Sequence, residues 1–376
     1  MICRAATTGR LLAGALVLLI AACSSGPERP KPKPLEPITA AIAGRQVWTE
    51  RIGDVGFPLS VAVNAGVFTV ASNDGTVAAV QADTGKTIWR TSVDGRIVAG
   101  VGSDGRFAAV VTREGDLVVL DGGKPAWRKP IGTKVVTAPL VAGERVFVLG
   151  VDRRVLAYDV LDGRMLWSLQ RPGDALTLAQ GGVIAAFKDT LLVGQGPRLA
   201  GIDPLRGSVR WEVPVASPRG ANEVERLADL VAPLLRLGDT VCMRAFQSAV
   251  GCVNAERGNL LWSRTIGGTE GVAGNEQVIV GADASDRLTA WRTASGEVAW
   301  TSERLMYRSV SSPLAVGPTV VFVDGEGTVH WMSLDKGEPV LRLSTDSSGA
   351  AAAPVASGNT LLVVTRNGGL HAFRPE

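Results

Sequence analysis

Two histidines, His330 and His371, four cysteines and a Gly194-Gln195-Gly196 turn are the groups in this chain that invite a chemical reading. A hydrolytic triad needs a histidine held between a nucleophile and a carboxylate, and a zinc site needs several histidine or thiolate ligands converging. The two histidines occupy the same place in two strand patterns, Val329-His330-Trp331-Met332 and Leu370-His371-Ala372-Phe373. They read as packing residues of a repeated motif. Gly194-Gln195-Gly196 lacks the spacing and the following helix of a phosphate or dinucleotide loop. Carboxylates lie mostly in turns, and no pair is singled out for acid–base work. No catalytic residue, metal ligand or cofactor is therefore expected. Cys242 and Cys252 are equidistant from a hairpin tip near Gln247, so they face each other. A cross-strand disulfide in an oxidising compartment and a pair of buried thiols are both compatible with that spacing.

The elements that would position any site come from a repeat. Glycine is followed four residues later by tryptophan at Gly44/Trp48, Gly85/Trp89, Gly123/Trp127, Gly163/Trp167, Gly207/Trp211, Gly258/Trp262 and Gly296/Trp300, with Gly337/Leu341 as a degenerate eighth copy. A short strand pattern precedes most of these turns, apolar β-branched runs lie further upstream, and another strand begins near Pro58, Pro139, Pro233, Pro313 and Pro354. Four short strands in about 40 residues is the size of a propeller blade. The tryptophan spacings of 41, 38, 40, 44, 51 and 38 leave no room for a second domain. The N-terminal copy has an outer strand without partners, and the C-terminal copy lacks one. The sequence thus predicts an all-β, eight-bladed propeller over residues 38–376, made of four-stranded antiparallel blades, the last closed by both termini. The tryptophans are expected to fill the wedges between blades.

Ahead of the repeat, Arg4 and Arg10 precede an apolar run, Leu11 to Ala22, too short to span a bilayer and suited to a signal peptide. Leu19-Ile20-Ala21-Ala22-Cys23 resembles a bacterial lipobox. That resemblance implies a signal peptide over 1–22 and an acylated Cys23, with Ser24 directing the chain to the outer membrane, facing the periplasm. Residues 24–37 hold five prolines among charges and should form an extended tether reaching roughly 40 Å. The excess of 39 basic over 36 acidic residues is confined to residues 1–37, so the remainder is formally neutral and offers a nucleic acid no general attraction.

The best copy of the repeat, Ala82-Asp83-Thr84-Gly85-Lys86-Thr87-Ile88-Trp89, resembles the tryptophan-docking repeat of quinoprotein dehydrogenases. No adjacent cysteines or quinone and Ca²⁺ ligands can be matched, so the likeness implies fold more than chemistry. A quinone-dependent periplasmic dehydrogenase or sensor is the alternative function. The whole mature chain, and locally Glu223-Val224-Glu225-Arg226-Leu227-Ala228-Asp229, resembles the propeller lipoprotein family of the outer-membrane β-barrel assembly machinery. The resemblance implies that Glu225, Arg226 and Asp229, with Leu176 and Leu178 of the loop before, contact the POTRA domains of BamA. Two positions depart from the family pattern, Ala179 standing for an arginine and Val231 for an acidic residue. Both segments follow the outer strand of consecutive blades, so they should emerge on one face, the leucines as apolar anchors and the charges as an orienting rim. A scaffold that binds POTRA domains, and presents strand edges to nascent outer-membrane proteins, is the expected function.

Overall fold

The computed structural model describes residues 30–173 and 176–375. The expected signal peptide, Cys23 and the first part of the tether lie outside the described residues. Among those described, every sheet has four antiparallel strands, and there are eight sheets. Blades 1 to 7 are continuous in sequence and occupy 62–92, 97–130, 140–169, 184–214, 230–265, 273–302 and 314–344. Blade 8 takes Val355–Ser357, Thr360–Val364 and Gly369–Pro375 from the C-terminus and its outer strand, Gly44–Arg51, from the N-terminus. The register runs from Gly44 opposite Pro375 to Arg51 opposite Gly369. The ring is therefore sealed by hydrogen bonds between the two ends of the chain, and no sheet edge is left at an open gap.

Within a blade the burial follows strand order. In blade 1 the middle strands Val67–Ala71 and Thr76–Gln81 are almost wholly buried, while the outer strand Thr87–Ser92 is mostly open to water. The proline signal marks the innermost strand. Leu140–Ala142, Leu314–Val316 and Val355–Ser357 each begin directly after a proline, where a missing N–H costs no ladder bond. Pro233 lies inside Leu230–Leu237, at a register break between Val231 and Leu235 that tolerates it.

The repeated glycine and tryptophan interlock across blades. A Cβ on Gly85, Gly123, Gly163, Gly207, Gly258, Gly296 or Gly337 would come within 3.0 Å of the tryptophan of the preceding blade, and one on Gly44 would meet Leu341 at 2.6 Å. The glycines from Gly85 to Gly337 in this slot thus do two jobs. They take the positive φ of their turns, +72° at Gly85 and +69° at Gly163, and they leave a bare face for a neighbour's indole, whereas Gly44 serves only the close approach, to Leu341. Indole N–H groups then donate to backbone carbonyls of the next blade, Trp48 to Ala82 at 2.8 Å, Trp127 to Val160 at 2.7 Å, Trp167 to Pro204 at 3.0 Å, Trp262 to Thr293 at 2.7 Å and Trp300 to Leu334 at 2.8 Å. The wedge is only partly dry. Of the slot tryptophans Trp262 is buried, and Trp48, Trp89, Trp127, Trp167, Trp211 and Trp300 are half-buried, whereas Trp291 and Trp331, outside the slot, are wholly enclosed.

A disulfide joins Cys242 to Cys252, which are register partners on neighbouring strands of blade 5. Both histidines are buried in blade walls. His330 Nε2 lies 2.9 Å from Asp324 Oδ2, which also accepts from Arg308 Nε at 2.8 Å. His371 Nδ1 lies 3.3 Å from Gln46 Oε1, across the seam between the two chain ends. Burial pushes both imidazoles below their usual pKa, and Asp324, despite its burial, is held below the ordinary carboxylate range by His330, Thr328 and Arg308.

Candidate partner-binding face

Strands alternate in direction, so the connections from one blade's outer strand to the next blade's inner strand share a face with the turns between second and third strands. Residues 170–183 link blades 3 and 4, residues 215–229 link blades 4 and 5, and residues 150–154 form the second-to-third turn of blade 3. The structure brings all three together. Asp229 Oδ2 accepts from the Leu178 backbone N–H at 2.9 Å, and Asp229 Oδ1 from Arg153 Nη1 at 3.3 Å. Arg153 Nη2 also reaches the Leu176 carbonyl at 3.4 Å. Backbone bonds continue the weld, with Ala232 N–H donating to Gly181 at 3.0 Å, Leu230 N–H to Gly196 at 2.9 Å and a bridge between Gly182 and Val231.

Asp229 is thus a staple between two loops. Its side chain is 16% exposed and Arg153's 12%, and both carboxylate oxygens have partners. Its bonds within the protein thus occupy the carboxylate expected to orient a partner. Glu225 is likewise engaged in its own loop, its oxygens accepting from the Ala221 N–H and the Asn222 side-chain amide, each at 2.8 Å, while Asn222 Oδ1 accepts from the Glu225 N–H at 3.0 Å. Arg226 Nη1 donates to the Gly220 carbonyl at 3.3 Å. These three residues shape the loop, and Glu225 and Arg226 also keep charge in water at its surface.

The apolar contribution comes from Leu176, 36% exposed, the half-buried Leu178, and a residue that the motif reading passed over, Val224, which is 71% exposed. Val224 stands between Glu223 and Glu225, and its exposure is set by the loop's own bonds rather than by its sequence neighbours. Arg153 was also missed, because its partner lies 76 positions away. Gly194 and Gly196 find their explanation here. A Cβ at 196 would crowd the Arg153 guanidinium at 3.0 Å, and one at 194 would press on Leu230 at 3.1 Å. Arg153, Leu178, Gln180, Gly194, Asp229 and Leu230 line a small hollow beneath the loops. Val231, at the departed acidic position, is buried under the same weld. Among the described residues, no three His, Cys, Asp or Glu side chains gather as metal ligands would.

These features define an eight-bladed, tryptophan-docked propeller whose most built surface feature is a stapled loop face. The model of the family described as outer membrane protein assembly factor BamB matches residues 39–100 and 73–302, and the chain belongs to that family. It is 36% identical to the outer membrane protein assembly factor BamB of Burkholderia pseudomallei (strain K96243) over 96% of each chain, and 31% identical to that of Bordetella pertussis (strain Tohama I), covering 97% of this chain and 98% of the relative. Among solved structures, BamB from Moraxella catarrhalis superposes with a TM-score of 0.80 at 20% identity, over 88% of this chain and all of that one. Quinohemoprotein alcohol dehydrogenase from Comamonas testosteroni superposes at 0.67 with 15% identity, covering 88% of this chain and 76% of the enzyme, a likeness of fold alone.

Proposed function

We propose that this protein is an outer-membrane lipoprotein, acylated at Cys23 and facing the periplasm, that serves as a non-enzymatic scaffold in assembling outer-membrane β-barrel proteins. Its family membership supports the process, and the lipobox-like Leu19-Ile20-Ala21-Ala22-Cys23 supports the anchor. Its partner surface is the face built by 150–154, 176–183 and 220–231, and its partner is the POTRA region of BamA. One observation carries the assignment of the surface. Asp229 ties the Leu178 backbone and Arg153 together, so Leu176 and Val224 are offered to water from a loop face that has already lost its conformational freedom. An ordered surface spares a partner the entropy of ordering it, and exposed apolar tips ringed by charge are the usual anchor-and-rim pattern of an interface.

The test follows from separating anchors from staples. Leu176→Asp with Val224→Asp should reduce co-purification with BamA at least about tenfold, since two desolvated anchors commonly carry 1 kcal/mol or more each. The melting temperature and circular dichroism should stay as in the wild type, surface changes of this kind being worth within about 0.5 kcal/mol of stability. Undiminished capture of BamA by this variant sinks the surface. Nascent outer-membrane chains are a second class of partner, for which the exposed outer strands offer edges for strand addition.

A further inference from the structure

Residues 33–38 form an extended strap lying on blade 7, within the same compact unit as the disc. The Lys33 N–H donates to the Met306 carbonyl at 3.0 Å, and the Lys33 carbonyl accepts from Arg308 Nη1 at 3.0 Å. Leu35 packs against the apolar cluster that includes Leu305 and Met332. Glu36 pairs with Arg304, and its carbonyl accepts from Arg342 Nη1 at 3.1 Å. Further on, the Ala41 N–H donates to the Val340 carbonyl at 2.8 Å, on the outer strand of the blade. Arg308 is held from behind by the enclosed Asp324, so the strap's main anchor is itself fixed.

The residues holding Lys33 belong to 303–313, the connection between blades 6 and 7. That connection is of the same type as 170–183 and 215–229, and so lies on the same face. Between it and the connection from blade 3 to blade 4 stand blades 4, 5 and 6.

We propose that this strap fixes where the membrane tether leaves the disc, on the partner face and three blades away from the Leu176 loop, and so sets how the disc stands on the membrane. The inference rests on the anchor proposed above. A tether free up to Pro37 would let the disc tumble beneath its lipid, whereas one clamped at Lys33 leaves only 24–32 to act as a linker. The blades could be bound by a partner in either case; the clamp decides which way they face.

The experiment uses the full mature chain in phosphatidylethanolamine/phosphatidylglycerol vesicles, with Leu35→Ser plus Glu36→Ala as the released strap, because Arg308 and Asp324 then stay paired and the disc stays folded. Hydrogen exchange over residues 33–41 should be slowed at least about tenfold in the wild type and lose that protection in the variant, with the blades unchanged. A fluorophore on Val224→Cys, on the partner face, should be quenched by a lipid-borne quencher more than about twofold better than one on Leu205→Cys in an opposite-face turn, and the difference should collapse on release of the strap. Fast exchange of the strap in the wild type, or quenching indifferent to its release, overturns the proposal and leaves the anchor intact. Mature chain without the mass of acyl groups on Cys23 overturns the anchor, and this proposal with it.

Discussion

Two arginine–aspartate clamps work on one face of the disc, and they are built in opposite senses. In each, a turn between second and third strands pairs with a connection between blades. Blade 7 supplies the aspartate, Asp324, from its turn and receives Arg308 from the connection, whereas blade 3 supplies the arginine, Arg153, and receives Asp229. The side chains of the first pair are 4% and 0% exposed, those of the second 12% and 16%. Full enclosure makes the first pair costly to break, because Asp324 and the groups bonded to it have no water to turn to, and Arg308 would keep only Glu326 at the surface and the Lys33 carbonyl. The second holds loops near water, where its loss should be tolerated by the fold and, if the proposed surface is right, felt by its partner. Enclosure, more than pair chemistry, divides the clamp inside the wall from the clamp on the proposed partner surface.

That division can be broken most forcefully at Asp324. Asp324→Ala removes the enclosed acceptor shared by Arg308, the imidazole of His330 and the backbone N–H groups of Glu326 and Thr328, leaving Arg308 only the exposed carboxylate of Glu326 and the Lys33 carbonyl, and should lower unfolding stability by about 3–5 kcal/mol in a denaturant titration. A loss under about 1 kcal/mol would mean that enclosure is not what separates the clamps. The same rule sharpens the tryptophan series. Trp331→Ala, in full enclosure, should cost about 3–5 kcal/mol, and Trp167→Ala, half-buried in its wedge, only about 2 kcal/mol. Equal melting temperatures for the two would refute the ranking.

Smaller still is Asp229→Ala, expected to cost about 1–2 kcal/mol while loosening the 176–182 loop, seen as faster amide exchange at Leu178. Because it unpins Leu176, it should weaken partner binding without itself touching the partner. The mildest effect is that of acid. His330, facing Asp324, Arg308 and Arg342, and His371, facing Asp346, both have pKa values lowered by burial, so the unfolded chain takes up protons before the folded one does. Their contribution is complete above pH about 6.5 and shrinks as the pH falls through the folded values. Asp324, lowered as well, loses its contribution only below pH about 4. The melting temperature should therefore decline between pH 7 and pH 5, and less so in His371→Gln; an identical decline in that variant would remove His371 from the account.

The ring was legible because it is written eight times. One Gly and one Trp at fixed spacing announce the blade, and unequal ends announce the seal between Gly44–Arg51 and Gly369–Pro375. Local spacing could not show that Gly85 serves the indole of Trp48 and not that of Trp89, since that contact crosses from one blade to the next. For the same reason the loop motif could not show the bonds that Asp229 makes inside the protein. A carboxylate in a charged stretch looks solvated until the backbone of Leu178 and the guanidinium of Arg153 arrive from distant positions. Leu35 was hidden by its prolines, whose composition describes a linker well and says nothing of a groove waiting for one leucine.

The seal of blade 8 also dictates when the molecule can be finished. Its outer strand is made before any of blades 1 to 7, and the strand it pairs with, Gly369–Pro375, only after all of them. A product interrupted anywhere before residue 369 keeps Gly44–Arg51 without that ladder, so the closing hydrogen bonds can form only after the seven other blades have been synthesised.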